Sequence, residues 1–135
     1  MSWDVLLIRT KTNREAMDEI KSENIILFSQ AEIAREIGKI ATELGAVCDC
    51  QDLSWQNLDS DSWSIEFNVG KNAETESVML HIRGSEPKEV FTLLPVDLNA
   101  RLIDCSTGEF IRPGEPTSFE RWRAYRDQIL GRNEM

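Results

Sequence analysis

The chain is poor in the residues from which metal and catalytic centres are most often built. It holds one histidine and three cysteines, and an odd number of thiols does not close into a disulfide framework. Cys48 and Cys50 stand one residue apart, tighter than the spacing of a zinc knuckle, and His81 and Cys105 lie far along the chain from them. Free, reduced thiols are the expectation, with no metal and no cofactor. Four prolines and seven glycines are too few for a collagen-like or low-complexity chain. No apolar run approaches the length that a membrane helix requires. The opening Met1-Ser2-Trp3-Asp4 has neither the basic start nor the apolar stretch of a secretory signal, so cytoplasmic residence is expected. A dinucleotide fingerprint, a Gly-x-Ser-x-Gly elbow and a His-Glu-x-x-His pair are all missing. Ser106-Thr107-Gly108-Glu109 lacks the lysine and the glycines of a phosphate loop and reads as a tight turn.

Positive charge is the other shortage. Fifteen basic residues face 24 acidic ones, a net charge of −9. Between residues 46 and 77 one lysine stands against seven carboxylates. Affinity for nucleic acid comes largely from lysine and arginine displacing counterions from phosphate, so such a surface repels it. A basic protein partner would be attracted.

What is present suits a single α+β domain spanning residues 1–135. The hydrophobic share of 41% and charged share of 29% are those of a chain that buries its own core. Residues 3–10 are almost continuously apolar and rich in strand formers, as in a strand covered on both faces. Residues 11–23 are polar and lack a clear period, which predicts a long loop with a helical turn near 15–20. Ser29 and Glu32 form a capping box, Phe28 and Ile33 flank it as a staple, and Ile33, Ile37, Ile40 and Leu44 recur at helical spacing before Gly45. This predicts a helix over Gln30–Leu44.

Residues 48–61 read as an acidic, turn-rich loop anchored by Leu53, Trp55 and Leu58. Residues 63–69 and 78–83 alternate apolar with polar, a hairpin of two half-buried strands. A second helix begins at Pro87 and should end or kink near Leu94, because Pro95 lacks the N–H for the bond to Phe91. A strand over 101–105 and a helix over 119–130, capped by Ser118, complete the chain. That last helix mixes Arg121, Arg123, Arg126 and Arg132 with Trp122 and Tyr125. The order βαββαβ predicts a ferredoxin-like plait, a four-stranded antiparallel sheet with an added C-terminal helix.

Two candidate sites follow. Asp49, Asp52, Asp59 and Asp61 would attract a basic protein, with Trp55 as its anchor. Alternatively, the polar face of the hairpin, with Ser64, Glu66, Asn68, Met79, His81 and Arg83, would hold a small ligand or a reaction. There His81 would be the base, oriented by Glu66 or Asp104. The same alternation also describes a solvated cross-strand charge pattern.

Trp3-Asp4-Val5-Leu6-Leu7, Ser64-Ile65-Glu66-Phe67-Asn68, Ser77-Val78-Met79-Leu80-His81-Ile82-Arg83-Gly84 and Asp104-Cys105-Ser106-Thr107-Gly108-Glu109-Phe110 resemble stretches of a family of small uncharacterised bacterial proteins. Some of its members are similar to immunity proteins of polymorphic toxin systems. The resemblance rests on strand cores and a turn and brings no catalytic residue with it. It implies a bacterial, cytoplasmic, non-enzymatic domain that docks on a partner and blocks it.

Overall fold

Helix α1, Gln30–Leu44, forms as its sequence dictates. In the computed structural model, which describes residues 2–134 and the side chains of residues 2–130, Glu32 N–H donates to Ser29 Oγ at 3.0 Å and Ser29 N–H to Glu32 Oε1 at 2.9 Å. Gly45 closes the helix in the left-handed region at φ +66°. Ile33, Ile37 and Ile40 are fully buried.

The sheet corrects the expected four-stranded ferredoxin-like plait. Strands β1 (Trp3–Ile8), β3 (Val47–Asp49), β4 (Trp55–Asp59), β5 (Trp63–Asn68), β7 (Ser77–Gly84), β8 (Arg101–Asp104) and β9 (Glu109–Ile111) make one seven-stranded sheet in the order β3-β4-β5-β7-β1-β8-β9. Every neighbouring pair in it is antiparallel. A separate two-stranded piece pairs β2 (Phe28–Ser29) with β6 (Glu74–Thr75). The four strands expected from alternation and apolar runs sit side by side, but β3 and β4 extend one edge and β9 the other. Half of residues 48–61 is therefore strand, and residues 11–24 carry two single 3₁₀ turns, Met17–Glu19 and Ser22–Asn24.

Helix α2, Lys88–Leu98, does not end at Leu94. Pro95 forfeits one backbone bond, a cost of about 3 kcal/mol. Burial of Leu98 beyond it returns about 1.5–3 kcal/mol, of the same order as that cost, and the helix runs on to Asn99 in the left-handed region, whose N–H bonds back to Pro95 O and Val96 O. Helix α3, Phe119–Glu134, starts where Ser118 predicts and runs past Gly131.

All three helices share one side of the sheet. Inward side chains of the strands (Trp3, Val5, Leu7, Leu58, Ile65, Phe67, Leu80, Ile82, Leu102) join Ile33, Ile37, Ile40, Val90, Phe91, Leu94 and Phe119 in a single core. Trp3 is the hub at one end: its ring lies 5.6 Å from Phe91 and 5.2 Å, edge to face, from Phe119. The C-terminal helix thus packs with the other two. Across β4, β5, β7 and the first half of β1 the opposite face carries no helix among the described residues.

Candidate functional site at the helix-free sheet face

Strand alternation fixes which side chains reach this face. Trp55, Asn57 and Asp59 of β4, Ser64, Glu66 and Asn68 of β5, Met79, His81 and Arg83 of β7, and Asp4 and Leu6 of β1 all point outward, because their neighbours in each strand are the core residues. The registers place His81 directly between Glu66 and Asp4.

His81 takes Asp4, not the expected partners. Its Nδ1 lies 2.9 Å from Asp4 Oδ1, while Glu66 accepts from Arg83 Nη1 at 3.0 Å. Trp55 lies parallel over the imidazole, with ring centroids 5.7 Å apart at 18°. The carboxylate fixes the ring's orientation, so that Nε2 is the nitrogen left for another group, and the indole covers one face of it. This is an oriented, half-exposed imidazole on an open sheet.

Asp104 belongs to the other side of the molecule. It alternates inward with Leu102 and is buried. Oδ1 accepts from Ser106 N–H at 3.0 Å and Ser106 Oγ at 2.7 Å, and Oδ2 accepts from Ser118 N–H at 3.2 Å and Ser118 Oγ at 2.6 Å. Burial alone would raise its pKa, but these bonds hold the carboxyl below its ordinary range. The carboxylate joins the end of β8 to the start of α3, and Trp3 Nε1 donates to the same Ser118 Oγ at 3.1 Å. Asp104 is a structural pin and takes no part in the His81 group.

The aspartates of the acidic segment are all exposed, but they do not gather in one spot. Asp52 lies in the β3–β4 turn and Asp61 in the β4–β5 turn, at opposite ends of β4, while Asp49 on β3 pairs with Asn57 and so lies diagonally across from Asp59, roughly 7–8 Å away. Part of their charge is used locally. Asp49 accepts from Gln51 N–H, Asp59 from Ser64 Oγ, and Asp52 from Ser54 Oγ and N–H. The Ser54 bonds set the Asp52 pKa below its usual value. Among the described residues none of the four is ion-paired within 4.0 Å. Trp55 opens β4 next to the turn that holds Asp52, 38% exposed, with Leu53 in that turn and Val47 opposite Asp59 exposed at 40% and 70%. The hairpin is held to the body by Gln56, whose buried amide donates to Gln30 O and Leu53 O.

The helix α3 arginines do not reach the acidic segment. Arg126 donates to Gly84 O at 3.2 Å and lies over the Trp122 ring, and Arg123 pairs with Glu120. The Arg132 side chain lies outside the described residues. Cys48 and Cys105 are exposed and Cys50 half-buried, all as free thiols. Burial pushes the Cys50 thiol up to about 11 and that of Cys105 in the same direction. Among the described residues no group of three His, Cys, Asp or Glu side chains is placed to hold a metal, and no helix is long and apolar enough to cross a membrane.

Asp4 is not legible as a residue of this face, because it sits in a run that reads as covered on both faces and so has no side. Trp55 reads as an anchor, but the strand that brings it over His81 does not show in the sequence. No known protein family, no curated protein and no solved structure matches the chain.

Proposed function

We propose that the chain is a protein-binding domain that docks a basic partner through the β3–β4 hairpin and the adjoining outer face of β5 and β7. The observation that carries this reading is the half-exposed Trp55, braced on His81 beside the turn that holds Asp52, with Asp49, Asp59 and Asp61 exposed along the same hairpin and the turn that follows it. A rigid aromatic surrounded by charge is the usual make-up of a binding hot spot and its rim. The aspartates steer a basic surface into contact, and the indole, with Leu53 and Val47, supplies the apolar contact once water is expelled. The resemblance to immunity proteins supports the same reading, with an inhibitor covering a basic toxin or enzyme.

Zero-length coupling of carboxylates to lysines, applied to the chain with the partner it captures from its source cells, tests the surface. Coupling should concentrate at Asp49, Asp52, Asp59 and Asp61. Coupling confined to α3 or to the far edge at β9 would refute it.

A second reading, a small-ligand or catalytic site at His81, is favoured only by the Asp4 contact. The two clefts described below both lie away from this imidazole, and a reacting group on an open face has little shelter from water. Turnover lost on His81→Ala with partner binding intact would establish it.

A further inference from the structure

One cleft carries charge of the opposite sign to the chain as a whole. In a chain of 24 acidic and 15 basic residues, a cleft of about 420 Å³ at the open end of the β8–β9 hairpin is lined by Arg14, Arg101 and Arg112 and by no carboxylate. Phe110 and Pro95 supply apolar wall. The neighbouring cleft of about 490 Å³, beside the start of α2, mixes Lys88 and Arg112 with Glu86, Glu115 and Glu120 and so favours neither sign.

Local structure does not use up this positive charge. The C-terminal end of α2 adjoins the cleft, and its carbonyls would be the natural partners of nearby cations. They are already occupied: Pro95 O and Val96 O accept from the Asn99 and Ala100 N–H groups, Leu98 O accepts from Arg9, and Asn99 O accepts from Asn13 Nδ2 at 2.6 Å. Among the described residues Arg14, Arg101 and Arg112 have no carboxylate within 4.0 Å. Glu15 is near enough to offset part of the Arg101 charge, and its Oε1 is engaged by Thr12 N–H at 3.1 Å. A net positive cleft remains.

The cleft is also built rather than loose. Arg101 donates from Nη1 to Glu15 O at 2.8 Å and from Nη2 to Thr10 Oγ1 at 3.1 Å, and its guanidinium lies 4.0 Å over the Phe110 ring. Its Nε is buried without a partner. Asn13, held at φ +53° by its bonds to Thr10 and Asn99, fixes the loop that presents Arg14. Burial lowers the Arg101 pKa, and the attraction of Glu15 opposes this by more than the like charge of Arg112 adds to it.

We propose that this cleft binds a small organic oxyanion, a carboxylate or phosphate carried on an apolar body. The anion lies between Arg14 and Arg112 with Arg101 behind it, and the body rests against Phe110 and Pro95. Arginine forks match both oxyanions, and a volume of this order holds such a molecule. The site is separate from the β3–β4 hairpin, so it stands or falls independently of the partner reading.

The experiment is an amide-resolved NMR titration of the full chain with benzoate, phenyl phosphate and inorganic phosphate, against benzyl alcohol and benzylamine as neutral and cationic controls. Saturable shifts at residues 13–14, 101 and 110–113 are expected for the organic anions, with smaller or no shifts for the controls. Saturation by inorganic phosphate as tightly as by phenyl phosphate would overturn the part played by the apolar body. The double variant Arg14→Glu, Arg112→Glu should weaken organic anions by roughly tenfold or more. If that variant fails to fold, Arg112→Gln alone serves and should weaken them in the same direction. Equal binding of the neutral analogue, or affinity unmoved in the folded variants, overturns the proposal.

Discussion

Replacing Asp104 by Asn probes the joint between β8 and α3, which sets where the last helix lies. The carboxylate accepts four hydrogen bonds from Ser106 and Ser118. Asparagine keeps one acceptor oxygen and turns the other into an N–H₂ group that faces a backbone N–H of Ser106 or Ser118. The hydroxyl on that side can rotate, but the N–H cannot, and a buried donor left unpaired costs about 1–3 kcal/mol. The surviving bonds lose charge assistance, worth roughly 1 kcal/mol between them, while the neutral side chain is easier to bury. We expect a net loss of about 2–3 kcal/mol at neutral pH, read by urea denaturation. Faster amide exchange across the first turn of α3 should accompany it, because Ser118 also accepts from Trp3. The pH dependence gives a second signature. The folded pKa of Asp104 is depressed, so its contribution is complete above the unfolded carboxylate value and lost as pH falls through the folded one. The gap between wild type and variant should therefore close in strong acid. A loss under about 0.5 kcal/mol at pH 7, or a gap that does not change with pH, would refute the reasoning.

Three further outcomes are expected. Gly84→Ala should cost roughly 2–3 kcal/mol by thermal or chemical unfolding, since Gly84 sits at φ +90° and an added Cβ would lie 2.4 Å from Ser62 O. Glu36, buried on α1 beside Asp97 with its Oε1 unpartnered, has its pKa raised to about 7 by burial and by that neighbour. Its ionisation therefore destabilises the fold as pH rises from the ordinary carboxylate value through 7, so Glu36→Gln should stabilise at pH 8 by roughly 1 kcal/mol after solvent screening and have no such effect near pH 4. Trp55→Ala should lower stability by less than about 1 kcal/mol while weakening partner binding at least tenfold, measured by calorimetry.

The parts of the fold legible in the sequence are those where local chemistry and burial agree. Ser29, Glu32 and Gly45 mark the ends of α1 at residues whose side chains and backbone do the capping. Alternation reveals β5 and β7 because every inward residue there is apolar. It hides β4, because the inward position between Trp55 and Leu58 is Gln56, buried but satisfied by Gln30 O and Leu53 O. With β4 unread, β3 had no partner and Trp55 no strand to place it over His81. Strand β9 is too short to show a period and follows a turn that masks it. Pro95 reads as a stop or a kink because propensity is local, whereas the burial of Leu98 that carries the helix past it is tertiary. The acidic segment was visible as composition. The register of β3 on β4, which brings Asp49 beside Asp59 and leaves Asp52 and Asp61 in the turns, is not encoded in composition. Asp104 joins the His81 group only if it is taken as a free strand end; alternation with the apolar Leu102 already sends it inward, where Ser106 and Ser118 satisfy its charge.

If a basic protein docks on the acidic hairpin, as proposed, opposite charges must speed its encounter. The association rate with the captured partner, measured by stopped flow across a series of salt concentrations for wild type and for Asp59→Lys, Asp61→Lys, tests this directly. The wild-type rate should fall steeply with salt, and the variant rate should be lower at low salt and nearly flat. Identical rates and identical salt slopes in the two proteins would contradict it.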